Sequence, residues 1–415
     1  MNKADSARLA GGLEGLCYAP APTPEEADIV VVNSCVVRQS AEDRVVHRVN
    51  SLRELKTARP DALLALTGCI VDSDHDRLKR RFPHVDFFLE PANFEPLLRV
   101  AGERAPAASL APASAPGPTA FVTVIEGCDN FCSYCIVPYR RGREQSRPVA
   151  DIRAEVVELV KRGVKEVTLL GQNVDSYGHD LPDRPDLADL LRELDPIDGL
   201  RRIRFLTSHP KDMSQKLIDA VAYLDKVCEY VSLPVQSGDD DILRAMGRGY
   251  EVDHFRDLVR RIRKAVPSAA ISTDIIVGFP GETDAQFRRT LQLVSEMEFD
   301  TVHVAAYSPR PGTAASRELR DNIPAQEKRQ RLREVEALQR DISAKINARM
   351  LGTTAEVLVE RRAKGKWEGR TRTNKLVFFD SEGEFTGELT RVRIENASPW
   401  YLQGEVVSGT AATES

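Results

Sequence analysis

Short β-branched runs that alternate with amphipathic helical stretches leave this chain few folds to adopt, because strand–helix–strand paths build parallel sheets. Strand-like runs recur at Ala120–Ile125, Glu166–Leu170, Ile203–Thr207, Glu229–Leu233, Ala270–Val277 and Thr301–Ala306. Helical patterns separate them: Ile152/Val156/Val160, Leu187/Leu190/Leu191/Leu194, Leu217/Val221/Leu224, Phe255/Val259/Ile262 and Phe287/Leu291/Val294. Six such units predict an open (β/α)6 barrel, with active residues on the loops that follow the strands.

Residues 104–119 are rich in Pro, Ala and Ser and read as an extended linker. Before it, residues 1–103 alternate a strand at Ala27–Val32, a helix from Ser40 to Leu55, a strand at Leu63–Thr67, a helix near Asp76–Arg81 and a strand at Val85–Leu89. This predicts a small parallel α/β domain. It opens with a helical stretch at 3–16 bearing Leu9, Leu13 and Leu16, so a first strand is expected to be missing. Residues 120–350 form the barrel unit, ending in the charged helical stretch Ala325–Arg349. In residues 351–415 the period changes, with Val357/Val359 and Val392/Ile394 alternating with polar residues. That pattern predicts a small antiparallel β-barrel.

Lys and Arg number 58 against 63 Asp and Glu, a net charge of −5, which excludes a polycation of the histone kind. Apolar runs such as Ala62–Leu66 fall far below the ~20 residues of a membrane span, and no apolar stretch follows the charges near Met1. A cytoplasmic protein without a membrane partner is expected. The seven cysteines (17, 35, 69, 128, 132, 135 and 228) are an odd number, which favours metal or redox chemistry over a disulfide framework.

The string Gly127-Cys128-Asp129-Asn130-Phe131-Cys132-Ser133-Tyr134-Cys135 directly follows the first barrel strand. Its C-x3-C-x2-C spacing lets three thiolates converge from one loop, as an iron–sulfur cluster requires. One iron would keep an open site. Zinc is the alternative, though no neighbouring His or fourth Cys closes a tetrahedron. Asn33-Ser34-Cys35 and Thr67-Gly68-Cys69 each follow a strand of the first domain. At that sheet edge the two thiols could face one cofactor, or be small buried hydrophobes.

The triplet, with Tyr134 before its last cysteine, resembles the signature of the radical S-adenosylmethionine (SAM) enzymes. Its flanks narrow the resemblance: Arg141-Gly142-Arg143-Glu144-Gln145-Ser146-Arg147-Pro148, Leu170-Gly171-Gln172-Asn173-Val174-Asp175-Ser176-Tyr177-Gly178, Thr207-Ser208-His209-Pro210, Leu233-Pro234-Val235-Gln236-Ser237-Gly238, Thr273-Asp274-Ile275-Ile276-Val277-Gly278-Phe279-Pro280-Gly281-Glu282-Thr283 and Tyr307-Ser308-Pro309-Arg310-Pro311-Gly312-Thr313. Together they resemble the methylthiotransferases over essentially the whole chain, above all the branch that modifies tRNA.

The resemblance implies transfer of a methylthio group to carbon 2 of an isopentenylated adenosine beside the anticodon. Alternatives are threonylcarbamoyl-adenosine tRNA, a ribosomal-protein aspartate, or an RNA-binding relative without sulfur transfer. It implies SAM and two [4Fe–4S] clusters, one on Cys128, Cys132 and Cys135 and an auxiliary one. Cys35 and Cys69 match the second and third auxiliary ligands. The first is expected just before a Met-Asn pair, and this chain begins Met1-Asn2. A start upstream of Met1 is therefore expected; Cys17 as a substitute is the alternative, and a core role suits it better.

Tyr134 is expected against the SAM adenine, with a plain core aromatic as the alternative. Gln172, Asn173, Gln236 and Asp274 could meet SAM or substrate, or serve as caps and turns. His209 could move protons or shape a turn. Gly278-Phe279-Pro280-Gly281 lacks the Lys-Ser/Thr of a phosphate loop, and Cys228 reads as core. Residues 361–375 hold seven basic residues (Arg361, Arg362, Lys364, Lys366, Arg370, Arg372 and Lys375) around Trp367, against one acid, Glu368. Cations attract phosphate and an aromatic can stack on an unpaired base; a solvated hairpin is the alternative. The tail resembles the TRAM domain, an RNA-binding barrel, and Arg140, Arg141 and Arg143 could extend its path. The partners implied are a tRNA anticodon stem–loop and an electron donor such as flavodoxin or ferredoxin, with the chain a monomer.

Overall fold

The computed structural model describes residues 1–34, 39–71, 74–91, 93–105 and 117–407. The N-terminal layer is a parallel sheet of β1 (Ile29–Ser34), β2 (Leu63–Gly68) and β3 (Phe87–Leu89), in that order. β2 is buried at every position, because apolar side chains cover both of its faces. Val49, Leu52, Leu78 and Phe82 lie on one side, and Leu9, Phe94 and Leu97 on the other. The register aligns Ser34 with Gly68, so the carboxyl ends of β1 and β2 meet at one edge. The helix Asn2–Gly15 precedes β1 and packs Leu9 onto the layer.

The central body has six parallel strands, β4 (Thr119–Thr123), β5 (Glu166–Leu170), β6 (Arg202–Leu206), β7 (Tyr230–Ser232), β8 (Ala270–Val277) and β9 (Thr301–Ala306). They form two three-stranded halves, β4-β5-β6 and β7-β8-β9, joined through a parallel bridge between Ile203 and Val227. Among the described residues β4 and β9 each pair on one side only, so the barrel is open. The helices between strands bury one stripe each; in Leu187–Leu194 it is Leu187, Leu190, Leu191 and Leu194. The sequence pattern does not predict the helix Asp240–Ala245. Six residues are too few to show a period.

The long helix Ala325–Ala348 packs Val335 and Ile342 on the barrel and buries an Arg331–Glu282 ion pair at 2.6 Å. It leads to a closed barrel of β10 (Thr354–Ala363), β11 (Lys366–Thr371), β12 (Leu376–Phe379), β13 (Leu389–Ala397) and β14 (Leu402–Val406), in the ring order β10-β11-β12-β14-β13. The barrel expected from the sequence is antiparallel. The observed one has a single parallel pair, β12 with β14. Strands cannot alternate direction all the way round a ring of five, so one parallel contact is forced. Two barrel arginines hold this unit in place. Arg202 donates to the Arg370 carbonyl at 2.8 Å and to Glu356 at 2.8 Å. Arg204 donates to the carbonyls of Thr371 and Arg372, each at 2.6 Å.

Candidate active site and metal centre

The cysteine triplet lies on the loop between two short strands, Ile125–Glu126 and Gln145–Ser146, just after β4. The loop turns at Gly127, where φ is +79° and a β-carbon would stand 2.0 Å from the Arg143 carbonyl oxygen; only glycine fits. Ser133 clamps the far side. Its N–H donates to the Met246 carbonyl at 2.9 Å, its hydroxyl to the Ala245 carbonyl at 2.7 Å, and its own carbonyl accepts the Ala315 N–H at 2.7 Å. The helix Asp240–Ala245 thus anchors the loop.

Cys128 and Cys132 are buried and Cys135 is half-buried, all as free thiols. Burial pushes the Cys128 thiol up to about 11 and Cys135 up to about 12. Arg248, itself buried, donates to the Cys132 Sγ at 3.5 Å and to the Pro234 carbonyl at 2.8 Å. Among the described residues the one trio of potential ligand atoms within 4.8 Å of one another is Asp129, Glu144 and His179. Three free thiols on one short loop are a donor set that fits an iron–sulfur cluster with one iron left open.

Beside the loop, at the carboxyl ends of β8 and β9, lies a cavity of about 240 Å³ lined by Tyr134, Cys135, Gln236, Asp274, His303 and Arg310, among others. Tyr134, Gln236 and Asp274, picked out by the sequence, are therefore gathered beside one cluster thiol. Gln236 has φ +73° and its backbone bridges to β8, its N–H donating to the Asp274 carbonyl at 2.9 Å. Its Oε1 is buried without a partner. Thr207, after β6, is likewise held at φ +71°. Such conformations cost about 1–3 kcal/mol each and gather at functional sites. Burial raises the Tyr134 hydroxyl well above the phenol range.

Gln172 and Asn173 do not line this cavity. They follow β5, and Asn173 is buried with its amide donating to Asp212 at 2.7 Å. His209 is buried, and desolvation lowers its imidazole to about 2, which favours the neutral ring near pH 7. Its backbone N–H donates to Asp175 at 3.1 Å, alongside the Ser208 hydroxyl at 2.9 Å. Burial nonetheless pushes Asp175 up to about 7. A carboxyl raised in the fold favours folding below the unfolded value near 4, and that contribution is lost as pH climbs through 7. Asp175→Asn should therefore gain stability over the wild type from pH 4 to 7, by up to about 4 kcal/mol, and no further above. Urea unfolding across that range measures it, and a constant difference would refute the assignment.

Cys69 is buried at the carboxyl edge of the N-terminal sheet, and its N–H donates to the Ser34 carbonyl at 3.0 Å. Cys35 lies outside the described residues. Arg141, six residues past Cys135, crosses to this edge. It pairs with buried Asp5 at 2.8 Å and donates to Asn2 Oδ1 at 3.1 Å, beside the Cys69 thiol. Cys17 lies at the other end. It lines a cavity of about 730 Å³ with Asp28, Ile29 and Leu63, at the amino ends of β1 and β2. A strand's length separates it from Cys69, so it does not substitute as a ligand there.

Residues 122–294 match the radical SAM superfamily, 348–407 the TRAM domain, and 1–90 the uncharacterized protein family UPF0004. The tRNA-2-methylthio-N(6)-dimethylallyladenosine synthase of Dehalococcoides mccartyi strain CBDB1 is 51% identical over 408 residues, 98% of this chain and 96% of the relative. The chain belongs to this synthase family. Enzymes of the same name from Herpetosiphon aurantiacus and Moorella thermoacetica are 45% and 42% identical, each over 99% of this chain and 96% of theirs. Among solved structures, the radical SAM methyltransferase TsrM of Kitasatospora setae, with cobalamin and a [4Fe-4S] cluster bound, aligns with a TM-score of 0.54 at 14% identity. That alignment covers 87% of this chain and 72% of TsrM, and shows the shared fold.

The synthase family's TRAM barrel corrects part of the basic stretch. Trp367 is 2% exposed in the barrel core, its indole N–H donating to the Ser381 carbonyl at 3.2 Å, so it is not available to stack on a base. Its alternation with polar neighbours points inward, and it packs on Phe385. Arg372 is turned to the central barrel, paired with Glu229 at 2.7 Å and donating to the Val227 carbonyl at 2.7 Å. Lys375 pairs with Asp300 at 2.7 Å. Both hold domains together rather than face RNA. Arg370 pairs with Glu360 at 3.4 Å, Arg361 with Glu368 at 3.0 Å and Lys366 with Asp380 at 3.0 Å. Arg362 lies over the Trp367 ring at 5.7 Å, and Lys364 occupies the hairpin turn with φ +52°. Sequence reasoning missed Arg248, Arg310 and the Arg202–Arg204 pair, since an isolated arginine carries no spacing signal.

Proposed function

We propose that this chain transfers a methylthio group to carbon 2 of N6-dimethylallyladenosine beside the tRNA anticodon. The observation that carries the reading is the loop of three thiols, of which Cys135 opens on a cavity, in a chain half-identical over its length to synthases of that name. A [4Fe–4S] cluster on Cys128, Cys132 and Cys135 supplies, when bound, the electron that splits SAM to a carbon radical able to attack an unactivated ring C–H.

The chain's own groups then have defined work. The three thiols, of which burial raises Cys128 and Cys135, release their protons on loading. Arg248 offsets the thiolate charge with a donor at Cys132. The unpartnered Gln236 Oε1 offers an acceptor to a bound ligand, while Tyr134 and Tyr307 wall the cavity. Arg310 joins this wall to the N-terminal layer through Glu42 at 3.3 Å. Units at 1–103, 120–350 and 351–415 around a 104–119 linker carry these tasks.

The same reading assigns an auxiliary cluster to Cys35 and Cys69, supported by the edge on which Cys69 meets Arg141. It extends to a flavodoxin- or ferredoxin-like donor, a monomeric chain and a cytoplasmic location; no helix among the described residues is long and apolar enough to cross a membrane. Nucleoside mass spectrometry of tRNA from a deletion strain tests the function. The methylthio-dimethylallyl nucleoside should vanish and its unthiolated precursor accumulate; an unchanged profile overturns the reading.

A further inference from the structure

The chain has two tryptophans. With Trp367 in the barrel core, Trp400 is the one left outside, 62% exposed, next to Tyr401 at 37%. The turn that carries them is rigid. Ser398 Oγ accepts both of their N–H groups at 3.1 Å, and Asn347 of the long helix donates to the Ser398 carbonyl at 2.8 Å. Phe378 meets the Tyr401 ring edge-on at 5.6 Å. Two exposed rings on a turn pinned by its backbone are a poor arrangement in water and a good one for a flat apolar ligand.

These rings border a cleft of about 260 Å³ between the small barrel and the central body, lined also by Tyr230, Asp300, His303 and Asn347. Exposed His303 also lines the cavity beside Cys135, so one side chain is a wall of both spaces. It stands midway along β9, whose outer edge is unpaired among the described residues. Thr301, His303 and Ala305 share a face of that strand, and Thr301 to Tyr307 spans about 20 Å. The cleft's two cations are already paired, Lys375 with Asp300 at 2.7 Å and Arg370 with Glu360 at 3.4 Å. Ring surface rather than charge therefore dominates, which favours a base over an acidic protein segment.

We propose that Trp400 and Tyr401 form a stacking platform for an unpaired nucleotide of the RNA. The open edge of β9, with His303 at its middle, is the track that brings a nearby nucleotide to the cavity beside Cys135. This rests on the RNA-modifying function above.

The test uses the full chain and a fluorescently labelled anticodon stem–loop containing dimethylallyladenosine. Trp400→Ala and Tyr401→Ala should each weaken binding between about fivefold and a hundredfold, with unfolding temperatures matching the wild type. Trp400→Phe should restore most of the loss. The salt dependence of binding should keep its slope, since no phosphate-facing cation is removed. In a Trp367→Phe background the remaining indole fluorescence should be quenched by RNA. Wild-type affinity in Trp400→Ala, or fluorescence unmoved at saturation, overturns the platform. So does unchanged RNA binding with impaired reduction by a flavodoxin, which would make the turn a protein-docking face. Failure of the wild-type chain to bind any such RNA would instead defeat the functional reading itself.

Discussion

Replacing Cys128, Cys132 and Cys135 together with alanine should remove the iron of one cluster and abolish SAM cleavage, while the chain stays folded. The loss is complete rather than graded because among the described residues Cys135 is the one thiol lining the cavity, and Cys228 is buried just before β7, beside Arg204. Folding survives because the loop is held by its backbone and by Ser133, not by its sulfurs. Iron and sulfide analysis after anaerobic reconstitution, with chromatography for 5′-deoxyadenosine, reads both effects. Cleavage persisting in the triple variant would sink the assignment of the metal centre. Cys228→Ala is the control and should retain full iron.

The second large effect lies far from the cavity. Arg204 and Glu166 are both buried, with Nε to Oε1 at 2.7 Å, and the same guanidinium holds two carbonyls of the small barrel. Arg204→Ala takes from buried Glu166 its close partner, leaving Arg202 at 3.9 Å, and strips those carbonyls of a donor. Breaking such a pair costs about 3–5 kcal/mol. The loss should appear as a lower unfolding temperature and as faster proteolysis between the helix Ala325–Ala348 and β10. A variant that keeps wild-type stability and protection would show that the two bodies are held by something else.

The sequence made the barrel legible because each strand is a continuous β-branched run and each helix an apolar stripe of full length. Glu166–Leu170, Ala270–Val277 and Thr301–Ala306 have the bounds their residues suggest. It made the cysteine loop legible because three ligands on one short segment leave a spacing to read. Trp367 and Trp400 show the limit. Both are aromatic residues amid polar ones, yet the pleat of β11 turns Trp367 inward while Trp400 sits on the turn before β14 and faces out. Arg372 and Lys375 were misleading for the same reason: a basic run records charge, whereas Glu229 and Asp300, which absorb that charge, lie far away in sequence. His209 shows the converse, a residue whose protonation is shifted by surroundings that no local pattern records.

Arg141 carries one last implication. Its guanidinium grows from the segment just beyond the barrel's thiol loop, yet its partner Asp5 and the neighbouring Cys69 belong to the other layer, and the ion pair is almost wholly dry. Swinging the layers apart would bare a matched charge on each side, at a cost no ordinary hinge absorbs. The two sulfur-bearing edges are therefore geared: anything that nudges one loop drags the other with it, and a guest molecule meets both as a single preassembled vestibule.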